Sequence, residues 1–437
     1  MIQLPEEIVY MIQTIEDAGF EAYAVGGCVR DSILGKQPED WDLTSNAPRE
    51  VLGALFPDAA IVNKKLGVMR ISQGTVTADI AAYRIDGEYK DYRRPETVIF
   101  TGKIEEDLRR RDFTMNAVAA SPLRGEVDPY HGRSDIEKGL IRGIGDPRLR
   151  FEEDALRILR GIRFAAQLDF EIEDRTLQVM KEKAGLLAHI SAERIREEFF
   201  KTVSAQNSGK GLALLLETGV LPYILGEDCT GHVSKTEGEK LHLLVENIDQ
   251  TECRLRYRVP LVYLCFQREK ALKAIEIMGY SNEMKKRLEQ AVTLLNDLTE
   301  IQDKTGLKRL IRRIGQNGYR YLTDLKKQQC LAFELDDTPL KNQVALFATI
   351  RSGGEAVFIQ DLAVNGGDLK EIGIREGVRI GEILELLLDI VHENPEKNKK
   401  DILLQTADCL KNAENQADKV SKDEEHSCVR GYISKDE

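Results

Sequence analysis

The chain has 437 residues, 42% of them hydrophobic and 31% charged, and a formal net charge of −12. That length suggests about two to four domains of roughly 100–200 residues each, and no run approaches the ~18–20 apolar residues of a membrane span. The acidic balance excludes a surface coated in basic groups, while a local arginine-rich groove for nucleic acid remains compatible with it.

In chain order, MIQLPEEIVYMIQTIEDAG reads as an amphipathic helix, and its early glutamates argue against a signal peptide. Short β-like runs then alternate with helices up to about residue 130. Strands are expected at 22–25, at 42–43 with its neighbours, and at 60–62, 68–71, 76–82 and 115–120. The last is expected to pair with 125–128 across the turn SPLRG. Beyond Pro147 nearly everything reads as helix, including EEDALRILRGIRFAAQL, ERIREEFFKTV, GKGLALLLETG and EMKKRLEQAVTLLNDL. From about Asn412 the chain is polar and charge-dense, as in a frayed or disordered end. Seven cysteines without a CxxC pair or zinc spacing fit reduced thiols and a cytoplasmic location.

Within QPEDWDLTSNAP, Asp40 and Asp42 flank Trp41, the single tryptophan. On an extended segment both carboxylates share one face and Trp41 takes the other. Two such carboxylates repel unless a cation lies between them, and Mg2+ is the natural one, being an oxygen-seeking ion commonly held by one or two carboxylates plus phosphates. Alone, the pair is equally readable as a solvated turn. Just upstream, YAVGGCVRDSILG ends an apolar run at Gly26 and Gly27 and opens a helix carrying Arg30. Such a turn brings backbone N–H groups and a helix N-terminus toward phosphate, and Arg30 offers a planar fork. Glycine turn, arginine and carboxylate pair within about twenty residues are more specific together than any one of them.

GGCVRD followed by EDWDLTSNA resembles the bacterial-type (class II) tRNA nucleotidyltransferase / poly(A) polymerase family. The resemblance continues through RIDGEYKDYRRPETVIF, EEDLRRRDFTMNA, RFEEDALRILRGIRFA and ISAERIREEF, and returns in DLAVNGGDLKEIGIREG. It implies a mixed-sheet α/β polymerase-β-type nucleotidyltransferase head followed by an extended all-α neck, body and tail. The corresponding boundaries are 1–145 for the catalytic head, 146–205 for a neck that selects the base, 206–320 for the body, 321–412 for a tRNA-binding tail and 413–437 for a polar extension.

Arg110, Arg111 and Asp112 stand at the start of an expected strand, where arginines can clamp a triphosphate and the aspartate can orient them or accept from a ribose hydroxyl. The resemblance implies that Arg111 contacts the nucleotide, with Asp112 close by. If residues 152–163 form one helix, Asp154, Arg157, Arg160 and Arg163 share a polar stripe at i,i+3 spacing, opposite Leu156, Ile158, Leu159 and Ile162. In isolation this is an exposed ion-paired face; the resemblance implies that E-D-x-x-R reads the incoming base. Asp154 can accept from an exocyclic amine while Arg157 donates to a ring nitrogen, which suits cytosine and adenine and opposes uracil and guanine. A third carboxylate is expected on a neighbouring strand, and Asp79 stands where the family typically has glutamate. Segment 85–98 resembles the loop that helps the switch from C to A.

The implied reaction is template-independent addition of CCA to the 3′ end of tRNA from CTP and ATP, by two-metal transfer on Asp40 and Asp42. An A-adding enzyme or poly(A) polymerase would use the same head, and a non-catalytic RNA-binding protein is the reading from another class. The expected partners are the tRNA 3′ end and acceptor helix, with no membrane, in a monomer or homodimer. Basic patches at 304–313 and 325–329 are candidates for RNA contact, or else solvated helix faces. A helical phosphohydrolase centre is not indicated, because the six histidines show no ligand spacing and His242 has no adjacent His-Asp pair.

Overall fold

The structure, a computed structural model, describes residues 2–63, 67–87, 97–375 and 377–411. The middle of segment 85–98 and the extension 413–437 lie outside the described residues. Helix α1 (Glu6–Asp17) buries Ile8, Met11, Ile12 and Ile15, whose spacing of three and four places them on one face. Strand β1 (Ala22–Val25) is buried throughout and ends at Gly26, where α2 (Gly27–Ile33) begins. Then come β2 (Trp41–Ser45), α3 (Arg49–Leu55), β3 (Ala60–Asn63), β4 (Val68–Gln73) and β5 (Val76–Ala82). Strands β6 (Arg84–Asp86) and β7 (Val98–Phe100) form a separate antiparallel ribbon at the two ends of the loop segment. After α4 (Ile104–Arg109), β8 (Ala119–Ser121) and β9 (Gly125–Val127) complete a seven-stranded sheet of order β3-β4-β5-β2-β1-β8-β9. Strand β2 runs parallel to β5 and antiparallel to β1, so the sheet is mixed and β2 lies at its centre.

The expected pairing across SPLRG is present, with Ser121 opposite Gly125. The strand expected at 115–120 starts late. Thr114–Asn116 is a single 3-10 turn, because Asp112 Oδ1 accepts from the Phe113 main-chain N–H at 2.8 Å and from Asn116 Nδ2 at 3.0 Å. Local side-chain bonds of this kind compete with a strand ladder. For the same reason Arg110, Arg111 and Asp112 open a turn rather than a strand.

Helices α5 (Gly132–Glu137), α6 (Pro147–Glu153) and α7 (Leu156–Leu168) follow, and from there the chain is almost wholly helical. It divides into two compact units, one of Met1–Val292 with Leu331–Glu334, the other of Thr293–Cys330 with Leu335–Glu437. In the first, the buried guanidinium of Arg258 donates to the carbonyls of Val203, Ala205 and Thr251 and to the Ser208 hydroxyl, joining three chain segments. In the second, Leu369, Ile383, Leu387, Leu388, Val391 and Leu403 form a buried cluster. The boundary expected between 320 and 321 falls inside the helical run Lys304–Ala332, which is broken instead at Gly315 (φ 77°).

The two expected basic patches are partly turned inward: Lys308 and Lys326 are buried, while Arg309, Arg313 and Lys327 remain exposed. Lys304 and Lys308 both pair with Glu355, and Lys308 is only 1% exposed. Arg309 pairs with Asp389 and Glu393, and Arg312 with Glu385 and Asp389. Leu325, Lys326, Gln328 and Gln329 are all buried. Cations that read as solvated in the sequence have carboxylate partners 47 to 84 residues away, and these only the fold brings close.

Candidate active site

The carboxylates gather around β2. Trp41 is buried and Asp42 is exposed, as alternation requires. The strand begins at Trp41, so Asp40 sits in the bend before it, yet Asp40 and Asp42 line the same clefts. Asp79 is the register partner of Asp42 on β5. Arg70 on β4 faces it and donates to both of its oxygens, Nε to Oδ1 at 2.7 Å and Nη2 to Oδ2 at 2.8 Å. Although its side chain opens onto the cleft, surrounding protein desolvates the Asp42 carboxyl and pushes it above its ordinary range; Arg111 opposes this, and Asp79 and Asp40 reinforce it.

Gly26 separates these carboxylates from the arginines. Its φ of +86° is a left-handed conformation that disfavours side chains, and a Cβ there would stand 3.0 Å from Arg111 Nη1 and 3.8 Å from Asp42 Oδ2. Beyond it, Arg30 Nη1 donates to Asn116 Oδ1 at 2.9 Å while Nε and Nη2 both meet Asp31. Asp112, 8% exposed, receives Arg160 through Nε at 2.9 Å and Nη2 at 2.7 Å on one oxygen. Burial alone would raise the Asp112 carboxyl, but Arg160 and Asn116 outweigh it and hold the group well below the usual carboxylate range. Arg30, Arg160 and Arg163 all lie over the ring of Phe164, at 5.2, 5.4 and 4.3 Å from its centroid.

The polar stripe of residues 152–163 is not one helix. The chain breaks at Asp154, which takes an extended conformation (φ −140°, ψ 102°) between α6 and α7. Its Oδ1 accepts from the Leu156 N–H at 3.1 Å, and its Oδ2 meets Arg194 Nη2 at 3.1 Å. Such a local side-chain bond to the main chain competes with continuing one helix through Asp154. Arg157 Nη1 donates to the Arg150 carbonyl (2.9 Å) and to Glu153 (2.6 Å), and its Nη2 to the Arg110 carbonyl (2.8 Å). Arg163 is paired with Glu198 at 3.3 Å.

Twelve of the thirteen residues expected from the sequence line one cleft of about 1070 Å³: Gly26, Gly27, Arg30, Asp40, Asp42, Arg110, Arg111, Asp112, Asp154, Arg157, Arg160 and Arg163. Asp79 lines an adjoining cleft that shares Asp40 and Asp42 with the first. Residues 22–142 match the Poly A polymerase head domain, and 169–227 match the probable RNA and SrmB-binding site of polymerase A. A CCA-adding enzyme of Lactobacillus helveticus is 32% identical over 394 residues, which is 90% of this chain and 94% of that protein. The chain belongs to the CCA-adding enzyme family. The CCA-adding enzyme of Geobacillus stearothermophilus is 40% identical over 221 residues, covering 51% of this chain and 55% of that one. The crystal structure of the Bacillus stearothermophilus CCA-adding enzyme in complex with CTP superposes with a TM-score of 0.73 at 27% identity, covering 95% of this chain and all of that one. A Thermotoga maritima CCA-adding enzyme complexed with tRNA_CCA shares the fold, with a TM-score of 0.66 at 21% identity, over 93% of this chain and 96% of that one.

Several residues around this CCA-adding family cleft were missed in the sequence. Asn116 and Arg194 lie inside the motifs RRRDFTMNA and ISAERIREEF, but their partners Arg30, Asp112 and Asp154 are 40 or more residues away or belong to a turn read as strand. Arg70 carried no signal at all. Among the described residues, no group of three or more His, Cys, Asp or Glu is arranged as a ready metal site, and Asp79 is directed to Arg70. His242 is exposed beside Glu246. Among the described residues no helix is long and apolar enough to cross a membrane.

Proposed function

We propose that the protein adds C, C and A in turn to the 3′ end of tRNA, using CTP and ATP without a nucleic-acid template. The observation that carries this is the convergence of the carboxylate pair, the glycine turn, the arginines and the Asp154/Arg157 pair on one cleft. The CTP complex of the 27%-identical relative and the tRNA complex of the Thermotoga enzyme support the same substrates here.

The donor set fits Mg2+. Asp40 and Asp42 offer hard oxygen ligands on one cleft, and the Asp42 carboxyl, raised first by desolvation and then by its Asp79 and Asp40 neighbours, is one whose charged form a cation would favour. Asp40 and Asp42 would hold the ion, with Asp79 becoming available if Arg70 is displaced. When bound, a pair of such ions supplies activation of the terminal 3′-hydroxyl and charge neutralisation at the reacting and leaving phosphates. The protein itself binds and orients. Gly26 leaves the gap through which a triphosphate reaches the carboxylates, and Arg110 and Arg111 supply charge along it. Asp154 accepts from the exocyclic amine of cytosine or adenine, and Arg157 donates to the adjoining ring nitrogen. Arg157 is held by three oxygens of its own chain, so its geometry is set before the base arrives. The head, neck, body and tail division and a cytoplasmic location belong to this proposal.

The test is to incubate the protein and Mg2+ with tRNA transcripts lacking CCA, ending in C, or ending in CC, with CTP and ATP supplied separately. Addition of C to the first two and a single A to the third is expected. Extension of only the CC-ending transcript indicates an A-adding enzyme, and long A tails indicate a poly(A) polymerase. Binding without incorporation defeats the enzymatic reading.

A further inference from the structure

Asp107, on α4, does not line the cleft, yet four parts of the site end on its carboxylate. It is fully buried. Its Oδ1 accepts from Arg110 Nε at 3.0 Å and from the main-chain N–H of Arg84 at 3.3 Å. Its Oδ2 lies 3.5 Å from Arg111 Nη2 and 3.5 Å from Thr44 Oγ1. Thr44 is two residues beyond Asp42 on the central strand, and Arg84 opens the β6–β7 ribbon. The other end of Arg111 is the one beside the Gly26 turn.

Two adjacent guanidiniums repel each other, and an anion between them fixes their separation. Burial would raise the Asp107 carboxyl, but Arg110 and Arg111 overcome it and keep the group in its charged form. We propose that Asp107 is a positioning residue for triphosphate: it sets Arg110 and Arg111 in the cleft and ties both to the catalytic strand and to the root of the ribbon. The inference rests on the nucleotide-binding reading of this cleft. A carboxylate that never meets substrate thereby determines where two substrate-facing cations stand, and does so with little freedom, since water does not reach it.

Asp107→Asn keeps the side-chain shape and removes the charge. Inorganic tripolyphosphate, CTP, ATP and tRNA are titrated into the full chain by calorimetry, and steady-state kinetics are measured with CC-ending tRNA. In the variant, affinity for tripolyphosphate and both nucleotides is expected to fall about 10-fold or more, with KM for ATP rising further than kcat falls. Affinity for tRNA is expected to stay within about twofold, a split that general loosening of the fold would not produce. In an Arg110→Ala, Arg111→Ala background, Asp107→Asn is expected to cause no further loss of tripolyphosphate binding, because it acts through those two groups. Unchanged tripolyphosphate affinity in the single variant, an additive loss in the triple variant, or a wild-type chain that does not bind tripolyphosphate overturns the proposal. If Asp107→Asn does not fold, Asp107→Glu, which keeps the charge but displaces it by about one bond, is expected to weaken tripolyphosphate binding several-fold, and full affinity there overturns the proposal equally. Asp107-dependent tripolyphosphate binding by a chain that extends no tRNA defeats the enzymatic reading and leaves the positioning role standing.

Discussion

The two sides of the Gly26 turn are built on opposite principles. On the carboxylate side, Asp40 and Asp42 have no side-chain hydrogen bond among the described residues, and the Asp42 carboxyl is pushed up by desolvation at the cleft and by its acidic neighbours. On the arginine side, Arg30, Arg157, Arg160 and Arg163 are each paired with carboxylates or carbonyls of the protein itself. The difference teaches which half needs something from outside. A repulsive carboxylate pair is completed by a bound cation, whereas an arginine lattice tied into the protein's own oxygens is a frame that holds its shape between substrates.

The comparison is broken most severely at Asp42. Asp42→Ala is expected to lower nucleotide incorporation at least on the order of 10³-fold, with gel-shift affinity for tRNA close to wild type. Loss of tRNA binding in parallel would mean that the carboxylate side supports the frame and not the reaction. Asp154→Ala should relax base choice instead, narrowing discrimination against UTP by about 1–3 kcal/mol in competition assays. Unaltered exclusion of UTP would remove Asp154 from base reading.

Smaller effects sharpen the contrast. Trp41→Phe should cost about 1–2 kcal/mol of stability in denaturant melts while the ratio of C to A addition stays put, because the ring is buried behind the carboxylates. Arg70→Ala releases Asp79 from its paired cation, so Mn2+ titrated against the variant should bind up to ~5-fold more tightly. Weaker binding would show that Arg70 orients Asp79 rather than competing with the ion. The least change is expected at Glu237, a carboxylate with full internal partners. There burial is outweighed by main-chain N–H groups of Ser234 and Gln267 and by Lys270, and the carboxyl is held down at about 2. Its folded value lies below its ordinary one, so its stabilisation is present above roughly pH 4–5 and is lost as pH falls toward about 2. Glu237→Gln should therefore melt earlier than wild type at pH 7, and the gap should close on acidification.

Much of the head was legible because period-two burial makes strands visible. Val76–Ala82 has the bounds its alternation suggests, and Trp41 faces inward as its position between two aspartates requires. The site residues were legible because they cluster in four short motifs that a single cleft reunites. What failed did so for local or long-range reasons. The strand at 115–120 lost to hydrogen bonds made by Asp112 and Asn116, and the helix at 152–163 lost to an extended Asp154 whose carboxylate takes the Leu156 N–H, with no glycine or proline to announce the break. Pairings such as Arg160 with Asp112, 48 residues apart, and Arg70 with Asp79, on adjacent strands, depend on register and packing that composition does not carry.

The break at Asp154 has a consequence for how a protein can act as a template. In a nucleic acid the template letter changes by advancing the strand. On the proposed base-reading role, Arg157 is held by the Arg150 and Arg110 carbonyls and by Glu153, while Asp154 is a single extended residue between two helices whose carboxylate is held by Arg194. Because the Arg157 guanidinium reaches back across the joint to the Arg150 carbonyl and Glu153, and Arg194 grips the Asp154 carboxylate, the joint is clamped from both sides and the carboxylate and guanidinium keep one fixed offset.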